Sequence, residues 1–332
     1  MTPPHRSRSR RICRWIWRSL LVIVVLLLLA VGCLWWYFHP DATTTRGITY
    51  GQRNGHTLQF DVVRPRHATG IGVLVMISGS WKSDPAKFQP WMAALFLRQG
   101  HTVFAISHLS QPEASVMEIV ADVQRATRFI RLHAEDYGID PQRLAVTGGS
   151  SGGHLSLMLA TRGGPGNPAA TDPVERESSA VEAAAVFFPV TDLLNLGPST
   201  QNLHDGGPPK SFRNAFGPRG TDLAEWPIIG RSVSPIHHIT EGLPPVFIVH
   251  GDADTLVPLD QSVRFRQRAA ELGHDVHLII REGKKHGWLT MIWDAHLFAD
   301  WFTEKLPRSS LARLSAHSTL QQRPPLRRHL LQ

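Results

Sequence analysis

The segment "RLAVTGGSSGGHL", residues 143–155, holds two adjacent serines among four glycines. A serine hydroxyl is a poor nucleophile at neutral pH and attacks only with a base in hydrogen-bond reach. A neutral imidazole can be that base. A carboxylate behind it fixes the tautomer and stabilises the imidazolium. Two later segments offer these groups: "HGDADTLVP" with Asp252 and Asp254, and "KKHGW" with His286. The pattern G-x-S-x-G fits two frames, residues 148–152 around Ser150 and 149–153 around Ser151. The local glycines are nearly symmetric about the pair. Asp252 also reads as a turn-forming residue.

The elements around these residues decide whether they can meet. The body alternates strand-like and helix-like runs, which predicts an α/β protein with a mostly parallel sheet and helices on both faces. "GVLVMIS", "HTVFAIS", "RLAVTG", "VEAAAVFFPV" and "PPVFIVHG" read as buried strands, and "HDVHLIIREG" as a last one. "ITYGQRNGHTLQFDVV" carries Asn54-Gly55 between alternating segments, a hairpin signal. "FQPWMAALFLRQG", "SVMEIVADVQRATRFIRLH", "HLSLMLATR", "LDQSVRFRQRAAELG" and "WLTMIWDAHLFADWFTEKL" read as helices. Ligands of an open parallel sheet sit beyond the carboxyl ends of its strands. Ser150 or Ser151, Asp252 or Asp254, and His286 all follow predicted strands, in that order.

That order, with a glycine-serine-glycine corner between strand and helix, resembles the alpha/beta-hydrolase superfamily. Within it, the chain is similar to esterases related to hormone-sensitive lipase and to bacterial feruloyl and acetyl-xylan esterases. "GGSSGGHL", "DPVERESSAVEAAAVFFPVTDLLN", "SPIHHI", "PPVFIVHGDADTLVPLDQS" and "EGKKHGW" carry the likeness, which covers residues 48–306. The family pattern G-x-S-x-G-G-[HN]-L implies Ser150 as nucleophile, with Gly148 and Gly152 as the elbow glycines. Ser151 would then give one oxyanion donor through its backbone N–H. The pattern H-G-x-x-D-x-x-V-P implies Asp254 as the acid, and His286 as the base. His154, just inside the helix after the elbow, reads as a packing residue. In one place the chain departs from the family. Where the family has H-G-G-G-W, residues 77–81 read "ISGSW", so Ile77 replaces the histidine and only Gly79 remains of the glycines. Oxyanion donors are backbone N–H groups, so Gly79 and Ser80 would still supply the second donor.

Charge and composition narrow the rest. The formal charge of +8 comes from the ends, with six arginines before residue 40 and five after 306. Between them lie 24 basic and 27 acidic residues, so the basic pI gives no reason to expect nucleic-acid binding. Cys13 and Cys33 are the only cysteines, which excludes a disulfide framework or thiolate metal site in the body. His237 and His238 are adjacent, and on a strand they would point to opposite faces. No metal and no cofactor is expected.

Residues 19–38 carry no charge, follow a run of arginines and end in aromatics. Their length suits a helix crossing a ~30 Å hydrocarbon core; a cleaved signal peptide is the alternative, but it usually has a shorter apolar core and a small-residue cleavage site. The arginines predict a cytoplasmic N-terminal segment (1–18) and a body on the outer face. A linker over 39–47 would lead to a catalytic domain over 48–306. Within it, 191–244 reads as an irregular cap-like insertion. The tail, 307–332, has the composition of a disordered segment.

These readings converge on a membrane-anchored serine hydrolase of small-molecule carboxylic esters with short acyl chains. Trp81 and Trp226 are expected to crowd the acyl site. Two other classes compete. "GDADTLVP" also resembles prolyl-oligopeptidase catalytic domains, but residues 39–50 leave no room for a gating propeller. A non-catalytic hydrolase-like binding protein would be expected to lack a member of the triad.

Overall fold

The computed structural model describes residues 6–308. Its first element is a long helix, α1 (Arg6–Phe38). Over Ile12–Phe38 it is long and apolar enough to cross a membrane by length and composition, and it is exposed except at Tyr37 and Phe38, which are half-buried. The chain then needs only residues 39–41 to reach strand β1 (Ala42–Arg53). The expected linker is therefore too long by six residues. From Ala42 onward the chain pairs with strand β2 (His56–Pro65), starting with Ala42 against Pro65. Asn54 and Gly55 both take positive φ at the hairpin tip, as a two-residue turn of this kind requires.

The remaining strands are β3 (Gly72–Met76), β4 (Thr102–Ile106), β5 (Leu144–Gly149), β6 (Ala183–Phe187), β7 (Val246–Gly251) and β8 (Val276–Arg281). The order across the sheet is β1-β2-β4-β3-β5-β6-β7-β8. β2 runs antiparallel to β1 and β4, and β3 to β8 are parallel. The parallel strands are short and apolar because both of their faces are covered.

The covering helices are α2 (Ala94–Arg98), α3 (Val116–Leu132), α4 (Ala134–Tyr137), α5 (Ser151–Arg162), α6 (Trp226–Ser232), α7 (Asp260–Glu271) and α8 (Met291–Lys305). α3, α5 and α7 pack on one face, around Phe60, Phe104, Val146 and Phe265. α2 and α8 cover the other, around Val73, Val103, Phe247 and Phe302. Ser115 and Glu118 close a capping box at the start of α3.

α2 is much shorter than its sequence pattern predicts. Pro85 and Pro90 break the preceding stretch into two tight helical turns, because proline lacks the N–H a continuing helix needs. Residues 191–244 form short helical turns, including Lys210–Phe216, α6 and Pro235–His238. His237 and His238 thus lie in a helical turn and not on a strand. The expected tail falls, from residue 309, outside the described residues.

Candidate active site

β5 ends at Gly149 and α5 begins at Ser151, so Ser150 alone makes the corner. Its φ of 55° and ψ of −121° are strained for an L-residue. The corner is so tight that a Cβ on Gly148 would sit 2.5 Å from the Gly152 carbonyl carbon. A Cβ on Gly152 would sit 2.9 Å from the Met76 carbonyl oxygen. Both positions therefore require glycine, which is the physical reason for the motif. The Ser150 N–H is held by the Phe187 carbonyl at 3.0 Å, and its own carbonyl accepts the His154 N–H at 2.8 Å.

The geometry separates the two serines. Ser150 Oγ lies 2.9 Å from His286 Nε2, and His286 Nδ1 lies 2.7 Å from Asp254 Oδ2. Ser151 is buried, and its Oγ lies 3.2 Å from Ser78 Oγ. With Asp254 ionised, the bonds assign a proton to His286 Nδ1 and leave Nε2 to accept from Ser150.

Asp254 is buried. Its Oδ1 accepts the Leu256 and Val257 N–H groups at 2.9 Å each. Burial alone would raise its pKa. Hydrogen bonds from His250, His286 and the Val257 N–H outweigh that and hold the carboxyl well below the ordinary carboxylate range. Asp252 has another task. Its Oδ1 accepts the Gly283 N–H at 2.7 Å, while the Ala253 N–H donates to the Lys284 carbonyl at 3.0 Å. These bonds stitch the acid-bearing loop to the loop that carries His286. Two neighbours complete this side. His250 bridges Ser262 Oγ at 2.7 Å and the Val257 carbonyl at 2.8 Å. The Phe188 ring packs 4.6 Å from that of His286. Sequence reading missed both; the only signal for His250 was its place at the head of "HGDAD".

The loop over 77–81 is built differently from expectation. Gly79 and Lys82 exchange both backbone hydrogen bonds at 2.9 Å. Between them Ser80 and Trp81 both have φ of 55°, which makes a tight turn of the hairpin kind. The Lys82 N–H closes this turn on the Gly79 carbonyl, and the Gly79 N–H is taken by the Lys82 carbonyl, so the donor expected from Gly79 is not free. Among the described residues, the Ser80 and Trp81 N–H groups have no hydrogen-bond partner. Trp81 is buried and pinned. Its Nε1–H donates to His154 Nδ1 at 3.0 Å, and the other His154 nitrogen meets the Val233 carbonyl at 2.7 Å. Burial pushes the His154 imidazole down to about 4, against the pull of that carbonyl. His154 is thus a neutral anchor for Trp81.

A second histidine supports the loop from below. His108 Nδ1 meets the Leu109 carbonyl at 2.9 Å and its Nε2 meets Ser78 Oγ at 2.9 Å. Burial lowers this ring to about 4 as well, so Nδ1–H donates and Nε2 accepts from Ser78. Ser78 Oγ is then left to accept from Ser151. Nothing in the spacing of "ISHLS" announced this connection.

Ser150, Ser151, Ser80 and Trp81 line a cavity of about 50 Å³ together with Leu196 and Phe212. Gln261 fixes this lining by accepting the Thr191 and Asp192 N–H groups and donating to the Asp192 and Asn195 carbonyls. Trp226 is not part of the cavity, contrary to expectation. It is buried in the core with its ring centroid 4.9 Å from that of Phe216. Among the described residues no group of three or more His, Cys, Asp or Glu is placed to hold a metal ion.

Sheet order, the strained strand-to-helix corner and the Ser-His-Asp convergence together define an alpha/beta-hydrolase fold. Comparison narrows this further. The BD-FAE family model matches residues 60–269, and the chain belongs to that family. Among curated relatives, Esterase LipQ of Mycobacterium tuberculosis is 30% identical over 70% of this chain and 54% of its own length. The probable carboxylic ester hydrolase LipM of the same organism is 32% identical over 66% of this chain and 50% of its own. The chain thus spans about half the length of these relatives. Among solved structures, butyrate-bound esterase Est2 of Thermogutta terrifontis is 27% identical, with a TM-score of 0.62, over 81% of this chain and 97% of that one.

Proposed function

We propose that the protein is a serine hydrolase of carboxylic esters with short acyl groups, held to a membrane by α1 with its body on the outer face. The observation that carries this reading is the unbroken hydrogen-bond chain from Ser150 through His286 to Asp254, opening on a small cavity. His286 Nε2 takes the Ser150 proton as Oγ attacks the ester carbonyl. Charge on the carbonyl oxygen is met by the Ser151 N–H, unpaired among the described residues at the first turn of α5, and by the Ser80 N–H. His286 then protonates the leaving alcohol, and water reverses the sequence to release the acid. Leu196 and Phe212 leave room for an acetyl- or butyryl-sized group and block a long chain. The butyrate found with Est2 supports an acyl pocket of this size.

The test uses the full chain in detergent, with an ester panel and a fluorophosphonate label. The parent is expected to prefer acetyl and butyryl esters. Ser150→Ala should lose label and activity, by a factor on the order of 10⁴ or more. Ser151→Ala should keep both, because its backbone N–H survives. Labelling that persists in Ser150→Ala and vanishes in Ser151→Ala would overturn the assignment.

A further inference from the structure

The end of α1 is not loosely tethered. The Trp36 and Tyr37 carbonyls, which a helix end leaves without partners, both accept from the Arg98 guanidinium at 2.6 Å. His39 takes the Trp35 carbonyl at 2.7 Å. The guanidinium also lies over the Trp36 and Tyr37 rings, 4.4 and 4.6 Å from their centroids. Phe38 meets Trp293 at 5.4 Å and Trp91 at 6.3 Å between ring centroids. Only residues 39–41 separate α1 from β1, a reach of about 10 Å. A bilayer around α1 therefore cannot be far from this side of the body.

That side carries several exposed large apolar side chains. Leu289 is 98% exposed, Met92 and Trp293 45%, and Trp91 42%. Leu289 and Trp293 lie just past His286 at the start of α8, and Trp91 and Met92 precede α2. An open groove of about 610 Å³ is lined by Met92, by the charged Lys82, Asp84 and Lys87, and by Ser80 and Phe212, both of which also line the Ser150 cavity.

We propose that the face formed by Trp91, Met92, Leu289 and Trp293 rests in the interfacial layer of the bilayer that α1 crosses. The groove from Met92 then opens at the lipid surface, and the substrate is an ester partitioned into the membrane, with a short acyl group and a lipid-soluble alcohol. The inference rests on the reading of α1 as a membrane span. Three features single out a bilayer as the occupant. The face is continuous with an exposed apolar helix, it is rich in tryptophan, and the linker is too short to lift it away.

The experiment uses the full chain with Cys13 and Cys33 replaced by serine, in phosphatidylcholine–phosphatidylglycerol vesicles. A bimane label is placed at Leu289→Cys or, separately, at Leu27→Cys. Nitroxide-bearing lipids are expected to quench both labels, the shallow nitroxide at 289 and the deep one at 27. Iodide quenching at 289 with lipid quenching at 27 overturns the seated face and leaves the anchor standing. Iodide quenching at 27 overturns the anchor and this inference with it. Leu289→Asp should cut turnover of a vesicle-dissolved acetyl ester about tenfold and leave that of a water-soluble acetyl ester unchanged. Equal loss on both esters would count against the proposal.

Discussion

On one side of Ser150 the site is held by a charge; on the other it is held by neutral groups. Asp254 gathers two backbone N–H groups and the His286 ring around one carboxylate. The opposite wall hangs on His154 and His108, two buried imidazoles that position Trp81 and Ser78 without ionising. The difference matches what each side would do in the proposed reaction. A base is oriented and stabilised by a carboxylate as it becomes an imidazolium. An oxyanion is met by preorganised N–H dipoles, and a fixed negative charge there would oppose it.

The largest effect that tests this contrast is expected on the charged side. Asp254→Asn keeps the shape but presents an amide to His286 Nδ1, which favours the wrong tautomer. Loss of kcat on the order of 10⁴ is expected. The same change weakens the bonds from Leu256 and Val257, so the melting temperature should also drop. A variant that keeps a tenth of the parent kcat would show that Asp254 does not orient the base.

The two sides also differ in how far the sequence revealed them. Residue types and strand ends narrowed the candidates to Ser150 or Ser151, Asp252 or Asp254, and His286; the resemblance to the hydrolase family chose among them. Gly148 and Gly152 were legible because their lack of a Cβ is itself the requirement. The loop over 77–81 was not legible, because the task proposed for it lies in backbone N–H groups, which every residue but proline has. Which N–H is free depends on the turn, and the turn is set by positive φ at Ser80 and Trp81, residues that rarely signal it. The roles of His108 and His154 depend on contacts over 30 and 73 residues of sequence separation, which no local pattern carries. The short α2 differs from the expected helix for a simpler reason: apolar periodicity runs through Pro90, which begins a separate tight turn.

Acid should attack the neutral side first. His154 and His108 are held near 4, whereas a histidine in the unfolded chain titrates near 6.5. Between those values the unfolded chain binds protons that the folded one refuses. Their contribution to stability is complete above pH ~6.5 and is lost as pH falls toward 4, by up to about 3 kcal/mol for each ring. His101, buried against α8 and also lowered to about 4 by desolvation and Arg143, acts with the same sign. Asp254 behaves otherwise. Its folded pKa lies below the unfolded ~3.9, so its contribution is intact above that value and lost only in stronger acid. Thermal melts of the full chain in detergent should therefore fall steeply between pH 6.5 and 4.5. A flat melting temperature over that window would contradict the burial of these neutral rings.

The smallest expected effect separates backbone from side chain on the neutral side. Ser80 holds φ of 55° with an exposed side chain, and its proposed task needs only its N–H. Ser80→Gly keeps that N–H and removes the Cβ that makes the left-handed conformation costly, a relief of about 1 kcal/mol in the fold. Glycine also gives the unfolded chain more freedom, which offsets part of the gain. Stability should then change by less than about 1 kcal/mol, and kcat/KM should stay within about threefold of the parent. Gly79→Ala should be equally mild, because a Cβ there meets nothing within 4 Å and the Gly79 N–H is already spent on Lys82. If Gly79→Ala were silent while Ser80→Gly lowered kcat a hundredfold, the hydroxyl of Ser80 would have to take part in the chemistry. The neutral wall would then owe its action to a side chain, as the charged one does.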